Sequence, residues 1–138
     1  MRLAARFVTL VILAALATVA HSHEQKLEGT EWGIVGDSGD NARFLSFAGQ
    51  GRIFGFGGCN RLAGTFEQHD SHLAISPASA TSKSCEPEVM ARETEFLDML
   101  QKVRGAQVDH TLLLLLDEKG ADLRTLLRRN TEPATSDE

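Results

Sequence analysis

The chain reads as a single, mainly antiparallel β domain carrying one amphipathic helix, and three features predict it. Between Leu27 and Ile75, short apolar stretches are cut by glycines and polar turns at the spacing of hairpin-linked strands. From Pro87 onward, apolar residues recur at helical spacing instead. Cys59 falls within the first pattern and Cys85 just ahead of the second, so a bond between them would tie sheet to helix.

The opening residues set the compartment. Arg2 and Arg6 form a short basic start, Phe7 to Ala17 is almost unbroken apolar sequence, and Ala15 to Ala20 is rich in small residues, the pattern of a secretory signal peptide over residues 1–20. A spanning helix needs about 20 apolar residues, and this run stops before polar His21, Ser22, His23 and Glu24. The preferred cut follows Ala20, and no cysteine near it offers a lipid attachment point. Losing Arg2 and Arg6 moves the formal charge from −5 to −7 for a mature chain long enough for one core. So acidic a protein is a poor partner for nucleic acid. The expectation is a periplasmic or secreted monomer, with its domain over residues 24–131 and a disordered acidic tail over 132–138.

An even cysteine count in an exported chain favours a disulfide over free thiols or a metal site. Closing the Cys59 to Cys85 loop should contribute roughly 3 to 4 kcal/mol by the chain-entropy estimate.

Five strands are expected first, at 27–35, 42–48, 52–56, 62–67 and 72–76, with turns at 36–40, 49–51, 57–58 and 68–71. Alternation is clearest over residues 43–47, where Leu45 faces away from Phe44 and Phe47 keeps the count unless the strand bends. A helix over 87–104 follows, with Val89, Phe96, Leu100 and Val103 as its stripe. Pro87 suits a first turn, Glu86 and Glu88 the positive end, and Lys102 and Arg104 the negative end before Gly105 stops it. Strands at 106–109 and 112–117 come next, with a turn at 118–120. The spacing of Leu123, Leu126 and Leu127 suits either a helix or a last strand.

The stretch Gly55-Phe56-Gly57-Gly58-Cys59-Asn60-Arg61-Leu62-Ala63-Gly64-Thr65-Phe66 resembles the signature of the META domain, the family of HslJ-like proteins. An opening Leu27-x-Gly29-Thr30-x-Trp32, Thr81 four residues before Cys85, and Glu93, Phe96, Leu97 and Leu100 on the helix follow in the family's order. Phe66 stands where tyrosine is usual, and Lys83 where methionine is common. The resemblance implies a strongly curved antiparallel sheet, a partly open, lipocalin-like barrel with the helix packed against it, and makes the last leucine segment a strand. Gly57 and Gly58 would permit a sharp turn, and Asn60 would hydrogen-bond its backbone.

Other patterns carry weaker chemistry. Gly36-Asp37-Ser38-Gly39 looks like a serine-protease nucleophile motif, but the chain is too short, and Ser38 reads as part of a surface turn. Cys59 has Cys85 to pair with and no partner base among His69, His72 or His110. The glycines form no phosphate loop. His69 and His72, with Asp70 between them, offer a metal approach but fall in a hairpin turn where polar residues are expected, and Glu86, Glu88, Glu93 and Glu95 read as a solvated helix start rather than an acid/base pair. If the mature chain begins His21-Ser22-His23, its amine, two amide nitrogens and the His23 imidazole suit Cu(II) or Ni(II). No catalytic set and no cofactor is expected. The resemblance implies a non-enzymatic envelope protein of stress or antibiotic tolerance, novobiocin-type included, acting through a protein partner. A carrier of a small apolar ligand and a pilot-like helper of secretion are the alternatives.

Overall fold

The computed structural model describes residues 25–129. The signal-like segment 1–20, the histidines His21 and His23, and the tail 132–138 lie outside those residues.

Eight antiparallel strands form a closed barrel in chain order: β1 (Thr30–Ile34), β2 (Phe44–Ala48), β3 (Arg52–Phe56), β4 (Arg61–His69), β5 (His72–Ser79), β6 (Gly105–Asp109), β7 (Leu112–Leu116) and β8 (Asp122–Arg128). The one α-helix among the described residues, α1 (Pro87–Lys102), separates β5 from β6, and a short 3-10 turn spans Gly39–Asn41. The ring closes where Gly33 of β1 meets Leu127 of β8, which makes the ambiguous leucine segment a strand. The ring is closed, and its narrowest join is the β5–β6 seam. β5 and β6 share a single register pair, His72 with Gly105, flanked by the Leu73 N–H to Arg104 carbonyl bond (3.2 Å) and the Ala106 N–H to Ser71 carbonyl bond (2.9 Å). Beyond that pair β5 has the helix rather than a strand packed against it.

Alternation builds the core. In β2, Leu45 and Phe47 turn inward while Phe44 and Ser46 turn outward, so the strand keeps its count without bending. Ile53, Leu62, Phe66, Leu73, Ile75, Leu113, Leu115 and Leu126 point into the same interior, which Phe96 and Leu100 of the helix and Val103 just past its end close. Burying each such side chain is worth about 1.5 to 3 kcal/mol. Phe66 meets Phe47 edge to face, with ring centroids 4.9 Å apart. Having no hydroxyl, it needs no polar partner in this apolar setting.

Several boundaries differ from the sequence expectation. β1 starts at Thr30, because the Thr30 N–H bonds the Leu27 carbonyl (3.0 Å) across a turn whose Gly29 has φ 84°. β4 and β5 run to a direct His69 to His72 pairing, which shortens their turn to Asp70 and Ser71. The helix ends two residues early, at Lys102, with the Val103 N–H on the Leu100 carbonyl (3.3 Å), and Gly105 opens β6 instead of stopping the helix.

The opening motif explains itself here. Trp32, fully buried, donates its indole N–H to the Thr30 hydroxyl (2.6 Å), which in turn donates to the Leu27 carbonyl (2.5 Å). A buried indole N–H left unpaired would cost about 1 to 3 kcal/mol, so Thr30 lets the barrel hold its largest side chain.

Candidate functional site

Gly57, Gly58, Cys59, Asn60, Thr81, Cys85 and Glu93, all family-like, converge where β3 turns into β4 beneath the helix. Gly58 has φ 110°, a conformation glycine adopts without strain. Gly57 serves a different end, because a Cβ there would lie 2.6 Å from the Glu93 carboxylate. The turn therefore leaves room for an acidic side chain that descends from α1.

That side chain corrects the sequence reading. Glu93 is not part of a solvated helix start: it is 4% exposed, on the same face as Val89, Phe96 and Leu100. One carboxylate oxygen, Oε2, accepts the backbone N–H groups of Cys59 (3.0 Å) and Asn60 (2.6 Å). The other, Oε1, accepts from Asn60 Nδ2 (2.8 Å). Three charge-assisted donors meet the requirement that a buried charge be fully hydrogen-bonded.

Asn60 likewise does more than hold its own turn. Its Oδ1 accepts from the Lys83 N–H (2.6 Å) and the Thr81 hydroxyl (2.8 Å), and its Nδ2 also donates to the Lys83 carbonyl (3.3 Å). Thr81 Oγ1 accepts the Arg61 N–H (3.1 Å). One amide side chain thus joins the β3–β4 turn, the segment before the helix, and the helix itself. Lys83 contributes its backbone, so a charged side chain is tolerated at that position. The Cys59 to Cys85 disulfide spans the same two segments, with Cα atoms 6.0 Å apart.

A second clasp lies beside the first. Asp37, from the protease-like stretch, binds the 7%-exposed Arg43 through Nε (2.7 Å) and Nη2 (3.0 Å) and also accepts the Arg43 N–H (3.1 Å). The hydrogen bonds from Arg43 hold the Asp37 carboxyl below its ordinary range against partial burial, and Asp37 raises the Arg43 guanidinium in return. Arg43 also reaches the Arg92 carbonyl (3.4 Å) and lies 5.9 Å from the Phe96 ring centroid. The loop that resembles a nucleophile motif is thereby an anchor for the helix, and Ser38 is exposed on it.

The remaining candidates are scattered. Glu86, Glu88 and Glu95 are exposed, and Glu95 reaches Arg124 (3.3 Å). His110 is exposed and contacts Asp109 (2.5 Å). His69 and His72 border an open groove of about 510 Å³ along the β5–β6 seam, with Arg104, Asp117 and Glu118 also on its wall. Among the described residues no three His, Cys, Asp or Glu side chains gather as a metal site, and both cysteines are bonded. No helix among them is long and apolar enough to cross a membrane. Leu97, the other family-like helix residue, packs partly buried against the core. Gly55 and Gly64 sit in β3 and β4 where the neighbouring strands approach too closely for a side chain.

Chemically, this constellation clasps. Its carboxylates and amide are engaged within the chain, and no buried side-chain nitrogen or oxygen among the described residues lacks a partner. Sequence reasoning missed the roles of Glu93 and Asp37. The available signal was the gap in the apolar stripe between Val89 and Phe96, which Glu93 fills.

Comparison with known proteins agrees with this architecture. The family model of the META domain matches residues 25–130. An NMR structure of a protein from Burkholderia xenovorans is similar at 21% identity and a TM-score of 0.62, over 75% of this chain and 84% of that one. A further NMR structure of a protein is 19% identical with a TM-score of 0.53, over 72% and 87% respectively. At these identities the likeness is one of fold. No curated protein sequence matches.

Proposed function

From the chain's membership of the META domain family, we propose that it is a non-enzymatic, exported domain of the bacterial envelope that supports stress or antibiotic tolerance by binding a protein partner. The observation that carries this reading is the commitment of the signature residues to internal bonds. Asn60 and Glu93 spend their polar atoms on Cys59, Thr81, Lys83 and each other. Residues bound up in this way hold a scaffold, and the scaffold's work falls to its surface. Export is supported by the signal-like segment 1–20 and by a disulfide, which persists in oxidising compartments.

A carrier of a small apolar ligand needs empty volume within the ring. Trp32, Leu45, Ile53, Leu113 and Leu115 are instead fully buried against one another there, which favours partner binding. A pilot-like helper of secretion is a particular case of partner binding, with a secretion component as the partner.

The test is genetic and biochemical together. Cells lacking the protein should lose tolerance to heat or novobiocin and regain it from the full-length gene, with the product recovered from the envelope, beginning at His21 and carrying its disulfide. Recovery of an uncleaved, reduced chain in the cytosol would contradict export. Unchanged tolerance in the deletion strain would contradict the proposed role.

A further inference from the structure

We infer that the partner docks on the outer wall of the barrel over β8, β1, β2 and β3, through a segment whose apolar side chains are flanked by carboxylates; this rests on the partner-binding reading above. Four ladder registers lay out the surface: Leu112 lies opposite Leu127, Leu127 opposite Gly33, Gly33 opposite Phe44, and Phe44 opposite Phe56. The chain neighbours Leu113, Leu126, Ile34 and Leu45 are buried, so this row points outward. At about 4.8 Å per strand, Leu127 to Phe56 covers about 14 Å, the width of one helix or ribbon. Leu127 is 48% exposed, and Phe54, one step along β3, is 46% exposed.

Each aromatic in this row has an arginine beside it. Arg129 lies 4.4 Å from the Phe44 ring centroid and fills the space above Gly33, where a Cβ would meet its Cδ at 3.3 Å. Arg52 lies 5.7 Å from the Phe54 centroid, and Arg61 stands opposite Phe56. Arg129 is paired with Glu31 (3.1 Å), so Arg52 and Arg61, both exposed, are the cations this face offers a partner. A chain of net charge −5 thus presents exposed Phe54 and half-buried Phe44 and Phe56, each beside an arginine.

That combination selects its occupant. Apolar contact surrounded by arginine is characteristic of protein interfaces, and complementary charge steers the encounter. A second copy of this face would bring arginine against arginine. A bilayer plane would touch a curved barrel wall along a line, whereas these residues wrap several strands.

The experiment uses the exported, disulfide-bonded, ¹⁵N-labelled protein and two 18-residue amphipathic peptides with the same leucine face, one flanked by glutamates and the other by lysines. The glutamate peptide should shift the amides of Gly33, Phe44, Phe54 and Leu127. Its affinity should fall at least tenfold in an Arg52→Glu, Arg61→Glu variant whose unfolding midpoint is unchanged. Equal binding of the lysine peptide, shifts confined to another face, or saturable binding to phosphatidylglycerol vesicles without peptide binding would each overturn the assignment. In cells, a photo-crosslinker replacing Phe54 should give an adduct that the arginine variant loses. Adducts only from a crosslinker at Thr94 on the helix would overturn this face and leave a partner standing; adducts from neither would contradict both readings.

Discussion

Glu93 Oε2 lies 2.6 Å from the Asn60 amide nitrogen, across thirty-three residues of sequence. The helix that closes the barrel is therefore tied to the β3–β4 turn by a buried carboxylate as well as by apolar packing. The disulfide reinforces a junction that hydrogen bonds already define.

Gly57→Ala should destabilise the protein by about 2 kcal/mol, because its new methyl would displace the Glu93 carboxylate from its donors. In a Glu93→Ala background the methyl gains room, and the same substitution should cost much less. Gly64→Ala should show no such rescue, since its methyl would meet the Ser76 carbonyl of the adjoining backbone. Urea unfolding of the single and paired variants provides the check, and equal costs in both backgrounds would contradict the packing argument.

Removing the cross-link with Cys59→Ser and Cys85→Ser should lower stability by about 3.5 kcal/mol, the loop-entropy value for a separation of 26 residues. The variant should nevertheless stay folded at 25 °C, because the three Asn60 contacts to Thr81 and Lys83 still hold the segment before the helix. Circular dichroism and amide exchange around Thr81 report both effects. An unfolded variant would assign the junction to the disulfide alone.

Asp37→Asn should cost about 3 kcal/mol at neutral pH by leaving the buried Arg43 without its counter-charge. The native Asp37 carboxyl titrates below its ordinary value of 3.8, held down chiefly by hydrogen bonds from Arg43. A group with a depressed native pKa contributes stability above its unfolded pKa and loses it as pH falls through the native one. The gap between wild type and variant should therefore be flat from pH 7 to about 5 and narrow below about pH 4. A gap independent of pH would assign the cost to shape instead of charge.

Much of this fold was legible because its cues are local. Glycines and polar turns marked the hairpins, and Pro87, Val89, Phe96 and Leu100 marked the helix. Barrel closure was not, since Gly33 meets Leu127 across almost the whole described chain. Glu93 is hard to read from sequence because an acidic residue near a helix start is ordinarily solvated, and only its place between Val89 and Phe96 argues otherwise. From sequence Asn60 is expected to hold its own turn, for a turn is where asparagine usually bonds. Its contacts to Thr81 and Lys83 depend on a segment twenty residues away that the disulfide and helix bring back.

The measurement that bears most directly on the structural reading of the signature is a double-mutant cycle between Asn60→Ala and Glu93→Ala, followed by denaturant unfolding. A clasp of this kind predicts that the two losses overlap, with a coupling of about 1 to 2 kcal/mol. Additive losses, or variants as stable as the parent, would contradict it and leave these residues free for a binding role.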